Sequence, residues 1–207
     1  MRLSLVIPCY NEARSLPQLM ARCAELVSAS PDCEIVLVDN GSTDDSPAVF
    51  ATELAGKERI RCVRVPVNQG YGHGILEGLR SCEGDILGWT HADLQTDPMD
   101  ALRALALFTD DPYPAHLFVK GARYGRPFAD VVFTFGMSVF ETFWMRQPLR
   151  DINAQPTLFP RAFFERWHDA PKDFALDLFA YAEAKAAGMR VRRFPVLFAP
   201  RQHGVSH

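Results

Sequence analysis

At 207 residues, with 48% hydrophobic and 23% charged residues and a formal net charge of -3, the chain has the make-up of a soluble globular protein of about one domain. Its basic residues are scattered, and the one dense stretch, Arg190 to Arg193, alternates with apolar residues as a solvated strand face would, which argues against nucleic acid as a partner. Five cysteines with no C-x-x-C pair and no histidine cluster argue against a disulfide framework and a structural zinc site, and fit a reducing cytoplasm.

The N-terminal apolar run is too short for a signal peptide, and no stretch reaches the roughly 18 apolar residues of a spanning helix. Arg2 to Ile7 reads as the first strand. Ser15 with Gln18 offers a capping box to a helix whose Leu16, Leu19, Met20, Cys23, Leu26 and Val27 recur on one face. Glu34 to Val38 is a near-continuous apolar run suited to a strand buried on both sides, and Asp39-Asn40-Gly41-Ser42 turns it toward a helix over Pro47 to Leu54. Ile60 to Val65 repeats the strand pattern. The glycine-spaced turn Asn68 to Gly72 opens a helix through Ser81, and Asp85 to Thr90 is a fourth strand ending in His91-Ala92-Asp93. This alternation predicts βαβ units and a mostly parallel sheet, and the polar and glycine-rich residues gather at the strand ends where open parallel sheets bind ligands.

The second half is less regular. It predicts a helix over Met99 to Phe108, a strand over His116 to Lys120, a helix with Asp173 as N-cap and Gly188 at its end, and a last strand over Met189 to Phe198. Between them, Phe128 to Met145 carries five phenylalanines and Trp144, suited either to a bilayer interface or to a core or dimer helix. The sequence stops at His207 directly after its last motif, which leaves open a continuation of the native chain.

Four motifs stand in order: Pro8-Cys9-Tyr10-Asn11-Glu12, Val38-Asp39-Asn40-Gly41-Ser42, Asn68 to Gly72, and Asp93-Leu94-Gln95. Together they resemble family 2 glycosyltransferases of the GT-A fold, and within them the dolichol- or polyprenyl-phosphate sugar synthases. The resemblance implies one Rossmann-like three-layer α/β/α domain over 1–207, with a nucleotide-sugar-binding half (1–98) and an acceptor-side half (99–207). It assigns Pro8, Tyr10, Glu12 and Asp39, with Asn40 and Gly70 beside them, to the pocket for a UDP-, GDP- or dTDP-linked sugar. Each of these residue types also serves ordinary strand-end turns. Gly70 and Gly72 would let backbone approach a ligand closely, while Gly70-x-Gly72-x-Gly74 lacks the spacing of a dinucleotide fingerprint.

His91-Ala92-Asp93-Leu94-Gln95 corresponds to the family's D-x-D region with histidine in place of the first aspartate. Asp93 and Gln95 are hard oxygen donors suited to Mg²⁺ or Mn²⁺, and an imidazole at His91 favours Mn²⁺. A strand-end histidine also serves packing, so both readings of His91 stay open. On the acceptor side, Lys120 to Arg126 resembles the synthases' Gly-Ser-Arg-Tyr segment, and Arg201-x-x-Gly204-x-Ser206 their R-x-x-G-x-S ending. Arg123, Arg126, Arg201 and Ser206 are thereby implied for a lipid phosphate, with surface arginines as the plainer reading.

Asp151-Ile152-Asn153-Ala154-Gln155-Pro156 departs from the synthases' Asp-x-Thr/Ser-Ser-Gly-Phe-Arg, which leaves Asp151 and Gln155 as acceptor-side candidates and the acceptor open. A lipid phosphate is already a nucleophile at neutral pH, whereas a sugar hydroxyl needs a carboxylate, for which Asp177 stands in the family's position. Asp177 also reads as an ordinary polar helix residue. The resulting expectation is an inverting, metal-assisted transferase at Asp93, cytoplasmic or at the inner face of the cell membrane. Transfer to a polysaccharide hydroxyl and a degenerate nucleotide-sugar-binding module are its rivals.

Overall fold

The computed structural model describes residues 1–125 and 151–199. Seven strands form one sheet: β1 (Leu3–Cys9), β2 (Cys33–Asn40), β3 (Ile60–Val65), β4 (Ile86–Trp89), β5 (Leu117–Tyr124), β6 (Thr157–Pro160) and β7 (Arg190–Leu197), in the order β3-β2-β1-β4-β6-β5-β7. Only β6 runs against its neighbours, antiparallel to β4 on one side and β5 on the other. The chain builds outward from β1 to β2 and β3, then returns to lay β4 on the other flank of β1. That reversal opens a crevice between the carboxyl ends of β1 and β4.

Six described helices cover the two faces: α1 (Leu16–Ala29), α2 (Ser46–Glu53), α3 (Tyr71–Ser81), α4 (Asp100–Thr109), α5 (Arg161–Phe164) and α6 (Leu176–Ala186). Alternate residues of each strand enter opposite layers, as the period of two requires. Leu3, Leu5, Ile7, Ile35 and Leu37 pack with α1, Phe50 of α2 and Phe108 of α4, while Val6, Val36, Val38, Leu87 and Trp89 pack with α3, α5 and α6. All eight residues of β2 are buried, as expected of a strand covered on both sides.

The elements of the first half lie within a residue or two of their expected bounds, and all six residues of the expected α1 face are buried. Four details differ. Ser15 makes no side-chain cap; its hydroxyl donates to the carbonyl oxygen and the carboxylate of Glu12 instead. Asp173 caps a turn before α6, accepting the Ala175 N–H at 2.9 Å, and the helix starts at Leu176. Strand β5 continues through Gly121 to Tyr124, because β7 pairs with it along its full length and Arg123 lies opposite Val196. Arg193 turns inward from the expected solvated face and donates to the Gly121 carbonyl at 3.1 Å. Gly188 ends α6 as expected: with φ of 68° it lets its own N–H reach Lys185 O at 3.0 Å and Met189 N–H reach Ala184 O at 2.9 Å, closing a Schellman turn. Among the described residues no helix is long and apolar enough to cross a membrane. The aromatic stretch Phe128 to Met145 lies outside the described residues.

Candidate active site at the strand ends

The turns after β1 and β2 are tied together before they present anything to a ligand. Asn11, in the left-handed region at φ 56°, accepts the Thr43 N–H at 2.8 Å and the Asp44 N–H at 3.3 Å on its Oδ1. Its own N–H donates to Ser42 Oγ at 3.1 Å, and the Glu12 N–H donates to Ser46 Oγ at 3.0 Å. These side chains satisfy amides that no strand partner reaches, and so fix Pro8, Tyr10 and Glu12 relative to β2. Asp39 is 1% exposed and works behind this turn: its Oδ1 accepts the Ser42 N–H at 3.0 Å, and its Oδ2 lies 3.7 Å from Arg64 Nε.

The turn after β4 is built the same way. Asp93 Oδ1 accepts the Gln95 N–H at 3.1 Å around Leu94, which adopts φ 57°. A leucine in that region is rare and costs about 1 kcal/mol or more, held here by the surrounding bonds. Gln95 Nε2 donates to Ala199 O at 3.2 Å and Gln95 O accepts the Ala199 N–H at 2.8 Å, which fastens the motif to the chain beyond β7.

Between these turns lies a cavity of about 450 Å³, and nine of the residues expected in the site line it: Pro8, Tyr10, Glu12, Asn40, Gly70, His91, Asp93, Gln95 and Arg123. Asn68, Tyr71, Asn153, Phe174 and Phe198 line it as well. Of these Asn68 and Tyr71 stood in a motif and Asn153 in the segment that departs from the synthases' pattern; Phe174 and Phe198 come from segments whose neighbours in space the sequence does not disclose. Tyr71 stacks on His91 with centroids 5.7 Å apart, and Phe174 on Tyr71 at 4.9 Å. Burial and the nearby Asp177 carboxylate push the Tyr71 phenol well above its usual range.

The glycines behave differently from the expectation. The close approach at Gly70 and Gly72 is to the protein's own 171–173 segment: a Cβ on Gly72 would sit 2.6 Å from the carbonyl oxygens of both Pro171 and Asp173. The His73 N–H, an orphan donor of the first turn of α3, is given to Lys172 O at 2.8 Å.

Arg123 reaches the cavity but is not alone. Its Nε donates to Asp151 Oδ1 at 2.7 Å, its backbone N–H to Asp151 Oδ2 at 2.9 Å, and its guanidinium lies 5.0 Å over the Phe198 ring. Arg193 joins the same carboxylate at 3.6 Å. Asp151, expected beside Arg123 on the acceptor side, is therefore its counter-ion and does not line the cavity.

Gln155 and Asp177 are buried and are not among the residues that line the cavity. Asp177 is 2% exposed, and its Oδ1 accepts from Gln155 Nε2 at 2.6 Å and Trp89 Nε1 at 3.3 Å, with the buried Lys120 ammonium at 3.6 Å. Gln155 is drawn there because its segment packs flat on β5, with the Gly121 N–H given to Pro156 O at 3.1 Å. Arg126, Arg201 and Ser206 lie outside the described residues.

His91, Asp93 and Gln95 thus give one wall an imidazole, a carboxylate and an amide, a donor set compatible with Mn²⁺ or Mg²⁺ when a diphosphate supplies further oxygens. No group of three or more histidine, cysteine or acidic side chains suited to a metal occurs among the described residues, so the protein's share of such a site would be incomplete without that ligand.

The family model for glycosyl transferase family 2 matches residues 4–167, and the chain belongs to that family. An undecaprenyl-phosphate 4-deoxy-4-formamido-L-arabinose transferase from Pseudomonas savastanoi pv. phaseolicola is 40% identical over 107 residues, covering 50% of this chain and 32% of that protein. A protein of the same description from Pseudomonas syringae pv. syringae is 35% identical over 153 residues, covering 72% of this chain and 40% of its own length. The matched part of the chain thus spans 32% to 40% of the length of these curated relatives. Among solved structures, the mannosyltransferase PcManGT from Pyrobaculum calidifontis, in complex with GDP-Man and Mn²⁺, superposes with a TM-score of 0.72 at 22% identity, over 98% of this chain and 58% of that one. Glucosyl-3-phosphoglycerate synthase from Mycobacterium tuberculosis, in complex with Mn²⁺, UDP and glucosyl-3-phosphoglycerate, gives 0.70 at 18% identity, over 99% of this chain and 73% of that one. The fold is GT-A.

Proposed function

We propose that the chain transfers a glycosyl group from a nucleoside-diphosphate sugar to a polyprenyl phosphate, with inversion at the anomeric carbon. The observation that carries this reading is the single cavity in which Pro8, Tyr10, Glu12 and Asn40 meet His91, Asp93 and Gln95 on one side and Arg123 on the other. The first group suits a base and ribose, the second a diphosphate, and the third an anionic acceptor. His91, Asp93 and Gln95 would hold a divalent metal, which when bound supplies Lewis-acid relief of the leaving diphosphate's charge. Glu12 and Asn40 orient the nucleoside, and Arg123 offers charge-assisted hydrogen bonds to the acceptor phosphate.

The acceptor class follows from what each nucleophile requires. A hydroxyl must lose its proton to a carboxylate within hydrogen-bond reach, and Asp177 is buried and not among the residues that line the cavity, with its Oδ1 engaged by two N–H donors. A phosphate monoester needs no such base. The descriptions of the curated relatives, which name undecaprenyl phosphate, support the same acceptor. Such a lipid is met at a membrane, so we assign the enzyme to the cytoplasmic face of the cell membrane.

The test is transfer from UDP-, GDP- and dTDP-sugars with Mn²⁺ to undecaprenyl phosphate and, in parallel, to a free oligosaccharide. Product on the lipid, lost on adding EDTA, is the expected result. Product on the oligosaccharide alone would replace this acceptor, and binding of donor without any transfer would reduce the chain to a nucleotide-sugar-binding module.

A further inference from the structure

Phe174 is 64% exposed, yet it lines the active cavity and is held still. One ring face lies on Tyr71 at 4.9 Å and 13° between planes, and Tyr71 lies in turn on His91 at 5.7 Å and 26°. On its N-terminal side the backbone is pinned to α3 by the His73 N–H to Lys172 O bond of 2.8 Å. On its C-terminal side the Asp173 carboxylate accepts the Ala175 N–H at 2.9 Å, just before α6. A single exposed apolar side chain needs no explanation, but a large ring fixed from both flanks and set in a ligand cavity is a pre-organised contact surface.

We infer that Phe174 is the platform for the transferred sugar: its uncovered ring face packs on the apolar C–H face of the glycosyl group of a nucleoside-diphosphate sugar, a reading that rests on the donor site proposed above. Position argues for the sugar over the nucleoside. The ring stands two ring spacings from His91, where the diphosphate is held, while Pro8, Tyr10 and Glu12 take the nucleoside end. Composition argues for the sugar over a hydrocarbon chain. Asn68, whose Oδ1 already accepts the Gly70 N–H at 2.8 Å, and Asn153 line the same cavity, so amide groups share it with an apolar ring. That pairing suits a ligand with polar edges and C–H faces, whose slightly positive hydrogens meet the negative face of the aromatic ring.

The experiment compares wild type, Phe174→Ala and Phe174→Trp by calorimetric titration with UDP-glucose, GDP-mannose and dTDP-glucose, and with UDP, GDP and dTDP alone, all with Mn²⁺. Since the side chain is largely exposed, both variants are expected to melt close to wild type. For whichever sugar donor wild type binds, Phe174→Ala should bind about tenfold more weakly, with affinity for the bare diphosphate unchanged and the tryptophan variant restoring the loss. Equal weakening for donor and bare diphosphate would overturn the inference, because the ring would then act only by shaping Tyr71 and His91. Unchanged donor affinity with a raised KM for undecaprenyl phosphate would also overturn it and assign the ring to the acceptor lipid. Wild type binding none of the three sugar donors would fail the donor reading itself, and the inference with it.

Discussion

Lys120 Nζ lies 3.6 Å from Asp177 Oδ1 with both side chains at most 3% exposed, an ion pair sealed in the interior and completed by Thr157 Oγ1 at 2.8 Å from the ammonium. Lys120→Met would leave the Asp177 carboxylate without its cation but would also relieve the burial of the ammonium, and is expected to lie within about 1 kcal/mol of wild type in urea denaturation at pH 7.

The same pair gives a pH dependence with a definite sign. Burial, outweighing the attraction of Asp177, brings the Lys120 amine down to about 8 from an ordinary 10.5. Between those values the unfolded chain binds its proton and the folded one does not, so this group's contribution is lowest below about pH 8 and rises toward pH 10.5. The buried thiols of Cys23, Cys33 and Cys82, pushed up to about 12, act in the opposite sense above pH 9. The stability gap between wild type and Lys120→Met removes the shared cysteine effect, and should widen in favour of wild type by roughly 3 kcal/mol across this range. A gap that stays constant from pH 7.5 to 10.5 would show that the amine titrates alike in both states.

At Asp93 a turn role and a ligand role can be separated. Its Oδ1 accepts the Gln95 N–H at 3.1 Å, so alanine would remove both a turn bond and the motif's one carboxylate, whereas asparagine keeps an acceptor at Oδ1 and loses the charge. Both Asp93→Ala and Asp93→Asn should abolish the Mn²⁺-dependent part of nucleotide-sugar binding, and only the alanine variant should also lower the melting temperature. Mn²⁺-dependent affinity surviving in Asp93→Asn would restrict the residue to the turn.

The first half of the fold was legible because each βα unit carries its own local signals: a buried run, a polar strand end, a helical stripe. Strand β6 was not, since Thr157-Leu158-Phe159-Pro160 is four residues long and has no alternation to distinguish it from a loop. The cavity wall from β1, β2 and β4 was legible for the same reason as the strands. Phe174, Asn153 and Phe198 were not, because they enter through tertiary contact from the less regular half. The roles of Gly70 and Gly72 show the limit most plainly: a glycine announces that something passes close to the backbone, and only the fold tells that this is residues 171–173.

Arg123 is expected to act on the acceptor despite its bond to Asp151, since it lines the cavity and its counter-ion does not. Arg123→Ala should raise KM for a lipid-phosphate acceptor by tenfold or more, the loss of a charge-assisted contact worth roughly 1.5 to 3 kcal/mol, with nucleotide affinity nearly unchanged. Steady-state kinetics in both substrates decide it. An equal loss of donor affinity would assign the guanidinium to the diphosphate.

Gly72→Ala sets two effects against each other. Glycine near the start of α3 is a poorer helix former than alanine by up to about 1 kcal/mol, so propensity alone predicts a gain. The new Cβ, however, would lie 2.6 Å from the carbonyl oxygens of Pro171 and Asp173, both backbone atoms in a segment bonded to the adjacent His73 N–H. Overpacking of this kind costs about 1 to 3 kcal/mol, and the segment that must yield carries Phe174 at its end. The variant should therefore be less stable than wild type by about 1 kcal/mol or more, and its affinity for a nucleotide sugar should fall while that for the bare diphosphate holds. Gly72→Ala melting at or above the wild-type temperature with unchanged donor binding would show that the 171–173 segment moves aside freely and that Phe174 is not held by it.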